Sequence, residues 1–166
     1  MSSMRRDEAA ACPDGRAIAI YDLDRTVTRS PTFTSFLLFA ARRDAPWRLA
    51  WLPLWVLALI GYRLGLYGRE ALKPFGIRLF VGGRISPDRA DRLARLFADR
   101  LEREEGYRPG ALAQIEMDRA SGALLILATA APEFYAVEIA RRLGFDASLA
   151  TLHARTDDGG YRARLL

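Results

Sequence analysis

Two aspartates set two apart at the end of an apolar run, Asp22 and Asp24, constrain this chain more than any other feature. The stretch Ala17-Ile18-Ala19-Ile20-Tyr21 reads as a short buried strand, and Asp22-Leu23-Asp24-Arg25-Thr26 follows at once. In an extended segment, residues i and i+2 share a face, so both carboxylates leave the strand end together. Such a pair repels itself and costs free energy unless a cation or a reaction uses it. Carboxylate oxygens are also the protein ligands that Mg²⁺ favours. Taken alone, the pair reads more simply as a strand followed by an acidic turn.

A second motif changes that balance. Ala123-Leu124-Leu125-Ile126-Leu127-Ala128-Thr129 is another near-continuous apolar run, the pattern of a parallel strand covered on both faces. It ends in a hydroxyl, and Ala130-Ala131-Pro132-Glu133 then opens a helix with proline near its first turn. A threonine just before a helix N-terminus is placed to hold a phosphate oxygen, because its hydroxyl and the free backbone N–H groups face an anion. On its own, Thr129 would equally read as a helix cap.

Together these residues resemble the haloacid dehalogenase superfamily of phosphohydrolases, in particular its phosphoserine-phosphatase-like branch, whose first strand ends in DxDxT and whose second ends in Thr or Ser. The wider run from Ile18 to Arg29, with Pro31-Thr32-Phe33-Thr34-Ser35-Phe36-Leu37, is similar to a bacterial subgroup of CicA-like and phosphatidylglycerophosphatase C-like hydrolases. The resemblance covers residues 16–166. It implies an α/β, Rossmann-like core with a parallel sheet and an inserted helical cap. It also implies a Mg²⁺-dependent phosphatase. Asp22 would be the nucleophile that forms an acyl-phosphate. Asp24 would protonate the leaving alkoxide and then activate water. Mg²⁺ would sit on the Asp22 carboxylate and the Asp24 carbonyl, and Thr129 would bind the phosphoryl oxygens. Arg25 stands where many relatives carry Gly, which alters the turn beside the nucleophile.

The family's third motif, a lysine, and its fourth, an acidic cluster, are not found in this sequence. After Thr129 come a helix from Glu133 to Leu143, an apolar strand around Ser148–Leu152, and a hairpin from His153 to Arg164. In the family both missing motifs lie beyond that hairpin, so the C-terminal part of the core is expected to be missing. The only lysine, Lys73, falls in the middle insert and is not given the motif's role. Asp157 and Asp158 precede glycines as turn residues do. His153, the only histidine, is expected to be structural, and one histidine cannot make a multi-histidine metal site. An alternative to the enzyme is therefore a catalytically silent, truncated regulatory or membrane-surface protein.

The expected organisation is a disordered tail over 1–15, core segments over 16–34 and 111–166, and a helical cap over 35–110. Within the cap, Ser86-Pro87-Asp88 is a strong helix start with a capping hydroxyl, and Leu93, Leu96, Phe97 and Leu101 follow at helical spacing. From Leu49 to Tyr62 no residue is charged, with Arg42, Arg43 and Arg48 before and Arg63 and Arg69 after. Trp47, Trp51 and Trp55 recur every four residues, as one helical face with Pro53 bending it would require. Tryptophans with flanking arginines suit an anionic membrane interface, and packing inside the cap fits the same pattern. The run is short for a spanning helix. The net charge of +5 comes from scattered arginines rather than a nucleic-acid-binding module, and a phosphate ester or anionic surface is the better match. A single cysteine, Cys12, and a tail without a secretory apolar region point to the cytoplasm, with peripheral attachment to the inner membrane as an option.

Overall fold

The computed structural model describes residues 15–165. Cys12 and all but the last residue of the expected disordered tail lie outside the described residues. The first strand, β1 (Ile18–Tyr21), pairs in parallel with β3 (Leu124–Pro132), and β3 pairs in parallel with β4 (Ala147–Thr151), giving the order β1-β3-β4. Parallel neighbours require crossover connections. The short crossover is α6 (Glu133–Arg142), ended by Gly144 at φ +70°. The long one carries α1 (Thr32–Asp44), α2 (Leu52–Arg63), α3 (Arg69–Phe80), β2 (Arg84–Ile85), α4 (Pro87–Arg103) and α5 (Pro109–Ala120). The fold is thus α/β with a parallel sheet, as expected.

The C-terminal hairpin forms β5 (His153–Arg155) and β6 (Tyr161–Leu165), with Asp157 and Asp158 in its turn. Strand β6 also pairs antiparallel with β2, making a second sheet of order β2-β6-β5. A two-residue strand is too short to show a period, so this pairing leaves no trace in the sequence pattern.

Aromatic packing joins the helices. Phe36 of α1 stacks on Tyr135 of α6, with ring centroids 4.5 Å apart, and Phe97 of α4 meets Phe36 edge-on at 5.2 Å. All three rings are buried. Helix α4 begins at Pro87 as its pattern predicts, burying Leu93 and Phe97 and half-burying Leu96 and Leu101. Ser86 holds the N-cap position, but its side chain makes no cap hydrogen bond. The start therefore rests on proline at the first turn and Asp88 near the positive end of the helix dipole.

The tryptophan stripe needs correction. Trp47 and Trp51 are exposed (66% and 47%), whereas Trp55 is only 1% exposed. The cause is local. Residues Pro46–Trp51 form a 3-10 turn with three residues per turn, so a four-residue spacing no longer keeps one face. Pro53 lies in the first turn of α2, where a missing N–H costs nothing, and it starts that helix rather than bending it. Trp55 turns inward among Phe33, Phe75 and Phe80. Among the described residues, no helix is long and apolar enough to cross a membrane.

Candidate active site

Beyond Tyr21 the backbone leaves the sheet in a wide turn. Thr28 N–H donates to the Leu23 carbonyl at 2.9 Å, Val27 N–H donates to the Asp22 carbonyl at 3.3 Å, and Arg25 takes φ +66°. Leu23 and Val27 are fully buried and anchor this turn, which leaves Asp22 exposed and Asp24 half-buried. The strand ends one residue before Asp22. The placement of Asp24 therefore follows from the turn and not from the alternation of an extended chain.

Asp24 is held firmly. Its Oδ1 accepts the Thr32 N–H at 2.8 Å and the Thr32 hydroxyl at 2.7 Å, so it closes the N-terminus of α1. Because the Thr32 proton is given to Asp24, the neighbouring Tyr135 hydroxyl, 3.1 Å away, must donate to Thr32 Oγ1. Burial pushes the Tyr135 phenol well above its ordinary pKa, which keeps that donor protonated. Asp22 carries a looser tie, the Thr26 hydroxyl at 3.4 Å from Oδ2. Its carboxylate is left open to a ligand.

The third sequence candidate, Thr129, comes in on the neighbouring strand. Tyr21 pairs with Leu127, so Asp22 and Thr129 both emerge at the carboxyl edge of the parallel sheet. The strand runs on to Pro132 (φ −56°, ψ 135°), which pairs with Thr151, and α6 begins only at Glu133. Thr129 is therefore not a helix cap. Its Oγ1 instead accepts the Ala131 N–H at 3.0 Å, which fixes the hydroxyl beside the loop backbone.

Three further residues reach this edge; Thr32 and Tyr135 were given no role from the sequence, and Lys73 was noted there only as the lone lysine of the insert. Thr32 and Tyr135 orient Asp24; the only advance signal was Pro31-Thr32 at a helix start. Lys73 of α3 is the third. Its Nζ donates to the Ala130 carbonyl, which also receives the Thr151 hydroxyl at 2.7 Å. Burial and the nearby Arg69 lower the Lys73 pKa, and Asp24 opposes that fall. His153 is buried, with Nδ1 3.2 Å from the Thr151 carbonyl and Nε2 without a partner among the described residues. Its backbone N–H donates to Glu133 at 2.9 Å, and burial pushes its ring pKa down.

Among the described residues, no group of three or more His, Cys, Asp or Glu side chains gathers to hold a metal. The oxygens at the turn nevertheless suit Mg²⁺. That ion takes one or two carboxylates and fills its remaining positions with water and phosphate oxygens. The exposed Asp22 carboxylate meets that requirement.

Comparison with known proteins places this edge in context. The chain is 32% identical over 142 residues to protein CicA of Caulobacter vibrioides, covering 86% of this chain and 61% of that protein. It thus spans about three fifths of the length of that relative. A protein of unknown function from Bordetella pertussis Tohama I superposes with a TM-score of 0.73 at 23% identity, covering 91% of this chain and 66% of the other. A phosphoserine phosphatase in the form of a phospho-aspartyl intermediate analogue superposes at 0.55 with 13% identity, covering 90% and 62%. The family model for haloacid dehalogenase-like hydrolases matches residues 19–165, nearly the whole described chain, and the chain belongs to that family.

Proposed function

We propose that this chain carries the phosphoryl-transfer edge of a Mg²⁺-dependent phosphomonoester hydrolase. The observation that carries the reading is the division of labour at the turn: Asp22 is open and Asp24 is held by Thr32, with Thr129 at the same edge of the sheet on the paired strand. An Asp22 oxygen attacks phosphorus, and the P–O bond to the leaving group breaks as the aspartyl phosphate forms. The leaving alkoxide takes the proton held by Asp24. Asp24, now a carboxylate, removes a proton from water as that water attacks phosphorus, releasing phosphate and restoring Asp22. The two donors from Thr32 keep Asp24 aimed through both steps. Thr129 holds phosphoryl oxygens. Bound at the Asp22 carboxylate and the Asp24 carbonyl, Mg²⁺ would supply neutralising charge for the phosphoryl oxygens. Residues 35–110 act as the cap that selects the substrate, a lipid or small-metabolite phosphate. The test is Mg²⁺-dependent hydrolysis of an aryl phosphate beside the Asp22→Asn variant. Turnover should fall at least about 10³-fold in the variant. A folded chain that hydrolyses nothing would mean that Asp22, Asp24 and Thr129 do not suffice for turnover.

A second reading concerns where the protein sits. The 3-10 turn and α2 leave Trp47, Trp51, Val56, Leu57, Ile60 and Leu64 exposed. No acidic residue lies between Asp44 and Glu70, while Arg42, Arg43, Arg63 and Arg69 rim the stretch and are exposed. An apolar face with mostly arginine at its ends matches an anionic lipid surface. Flotation with phosphatidylglycerol vesicles at low salt should recover the protein, and Trp47→Ala should weaken recovery. Equal recovery with neutral vesicles would remove the charge argument.

A further inference from the structure

We propose that Thr151 is a positioning residue for this site: from the end of β4 its hydroxyl holds the Ala130 carbonyl and so aims the Thr129 hydroxyl at the phosphoryl group. The inference rests on the phosphatase reading of Asp22, Asp24 and Thr129, and it adds to that reading a side chain from the next strand.

Strand pairing alone leaves Thr129 loosely placed. Ala128 pairs with Leu149 and Pro132 with Thr151, so β3 advances four residues while β4 advances two. Thr129, Ala130 and Ala131 therefore form a bulge, where the regular ladder is interrupted and backbone groups need other partners. Thr151 supplies one. Its hydroxyl donates to the Ala130 carbonyl at 2.7 Å, across 21 positions of sequence. The peptide group joining Ala130 to Ala131 is planar and trans, so its C=O and N–H point in opposite directions. Turning the carbonyl toward Thr151 turns the Ala131 N–H the other way, where it donates to Thr129 Oγ1 at 3.0 Å. A hydroxyl whose oxygen accepts an N–H still has its own proton to give. The Thr129 proton is thus left for a phosphoryl oxygen, and its direction is set by a peptide plane that Thr151 governs.

Thr151 is itself firmly seated. Its carbonyl lies 3.2 Å from His153 Nδ1, which must carry the ring proton because a carbonyl can only accept. The His153 N–H donates to one oxygen of Glu133 at 2.9 Å, and Arg155 donates to the other at 2.9 Å. His153 and Glu133 are both buried, so this anchor lies inside the protein. A threonine is also stiff about χ1. Lys73 donates to the same Ala130 carbonyl, but from a flexible four-carbon stem. The lysine keeps the oxygen satisfied, and the threonine fixes the plane. Removing the Thr151 hydroxyl therefore loosens the bulge without leaving a carbonyl unpaired.

The experiment measures binding of inorganic phosphate with Mg²⁺ to the full chain by calorimetry, together with KM and kcat for an aryl phosphate. It compares wild type with Thr151→Val, Thr151→Ser, Thr129→Val and the Thr151→Val, Thr129→Val double variant. Valine suits a strand as threonine does, and thermal unfolding checks that each variant is folded. Thr151→Val should weaken phosphate about 10-fold. It should raise KM by more than it lowers kcat, because Thr129 holds the phosphoryl group before transfer as well as during it. Thr151→Ser, which keeps the hydroxyl, should recover most of the affinity. In the Thr129→Val background no hydroxyl remains to be aimed, so Thr151→Val should cost nothing further. Wild-type affinity in Thr151→Val, a loss that Thr151→Ser does not recover, or the same added loss in both backgrounds would overturn the role of Thr151. A loss in Thr129→Val would then leave the phosphatase reading standing. Wild-type protein that binds no phosphate, or binds it regardless of Thr129→Val, would overturn both.

Discussion

The carboxyl edge of the parallel sheet and the helical segment above it are finished in opposite ways. At the edge, the polar groups around Asp24 and Thr129 are paired while Asp22 stays open: Tyr135 donates to Thr32, Thr32 donates twice to Asp24, and the Ala131 N–H donates to Thr129. In the 3-10 turn and α2, apolar groups are left in solvent, with Trp47, Leu57 and Leu64 each more than 60% exposed. A buried polar group must be hydrogen-bonded or it costs stability, so the pairing at the edge is what folding alone would demand. An exposed apolar face has no such compensation within the described chain, and a contiguous one marks a contact surface. The first region explains how side chains are aimed, and the second leaves apolar surface open for contact.

Tryptophan separates the two regions most sharply. Trp55 packs beside Phe33, Phe75 and Phe80 and against Gly76, whereas Trp47 has the Arg48 guanidinium 5.1 Å from its ring and otherwise faces solvent. Trp55→Ala should cost about 3–5 kcal/mol of stability, and Trp47→Ala no more than about 0.5 kcal/mol. Urea denaturation of both variants measures the gap. Equal losses would mean that the exposed face is packed in solution and would break the comparison.

A smaller effect is expected at Thr32. Thr32→Val keeps the backbone N–H to Asp24 but removes the hydroxyl that links Asp24 to Tyr135. Leaving a buried phenol without its acceptor should cost about 1–3 kcal/mol. Turnover should fall about 10-fold or more as Asp24 loses its aim. If kcat holds while stability drops, Thr32 serves the fold alone. If kcat falls with the fold intact, the hydrogen-bond chain serves the reaction.

The two regions also differ in how far a sequence could announce them. The apolar runs ending at Asp22 and Thr129 were readable as strands, and register carries both ends to one edge, but the burial expected of the first does not hold: β1 buries none of its residues fully and leaves Ile20 65% exposed. The Thr129 surroundings were readable only in part. A proline near a helix start is ordinarily helical, but Pro132 stays extended because it pairs with Thr151 of β4, a tertiary contact. In the helical segment, the four-residue tryptophan spacing misled because Pro46 and Pro53 divide it into a 3-10 turn and a helix of different pitch. Lys73 was legible as a lone lysine among arginines, but its contact with the Ala130 carbonyl was not, because that contact joins α3 to β3. Turns and helix phase are local and can still be overridden, while long-range contacts write no pattern at all.

Arg25 offers the finest test of how the edge is finished. At φ +66° and ψ 0° it adopts the left-handed conformation in which a Cβ is crowded against its own backbone. Glycine removes that crowding, though a glycine also gives the unfolded chain more freedom to lose. The turn's other supports involve backbone atoms that the substitution keeps: the Thr28 N–H on Leu23 and the Arg108 contact to the residue-25 carbonyl. Arg25→Gly should therefore stabilise the protein by only about 0.5–1 kcal/mol, as the difference between two opposed effects. Arg25→Ala, which retains the Cβ, should show no gain. Thermal unfolding of the two variants side by side isolates the backbone contribution from the loss of the guanidinium, which both share. A gain in Arg25→Ala equal to that in Arg25→Gly would trace the effect to the charge beside Asp24, and the turn would then be limited by electrostatics instead of by its backbone.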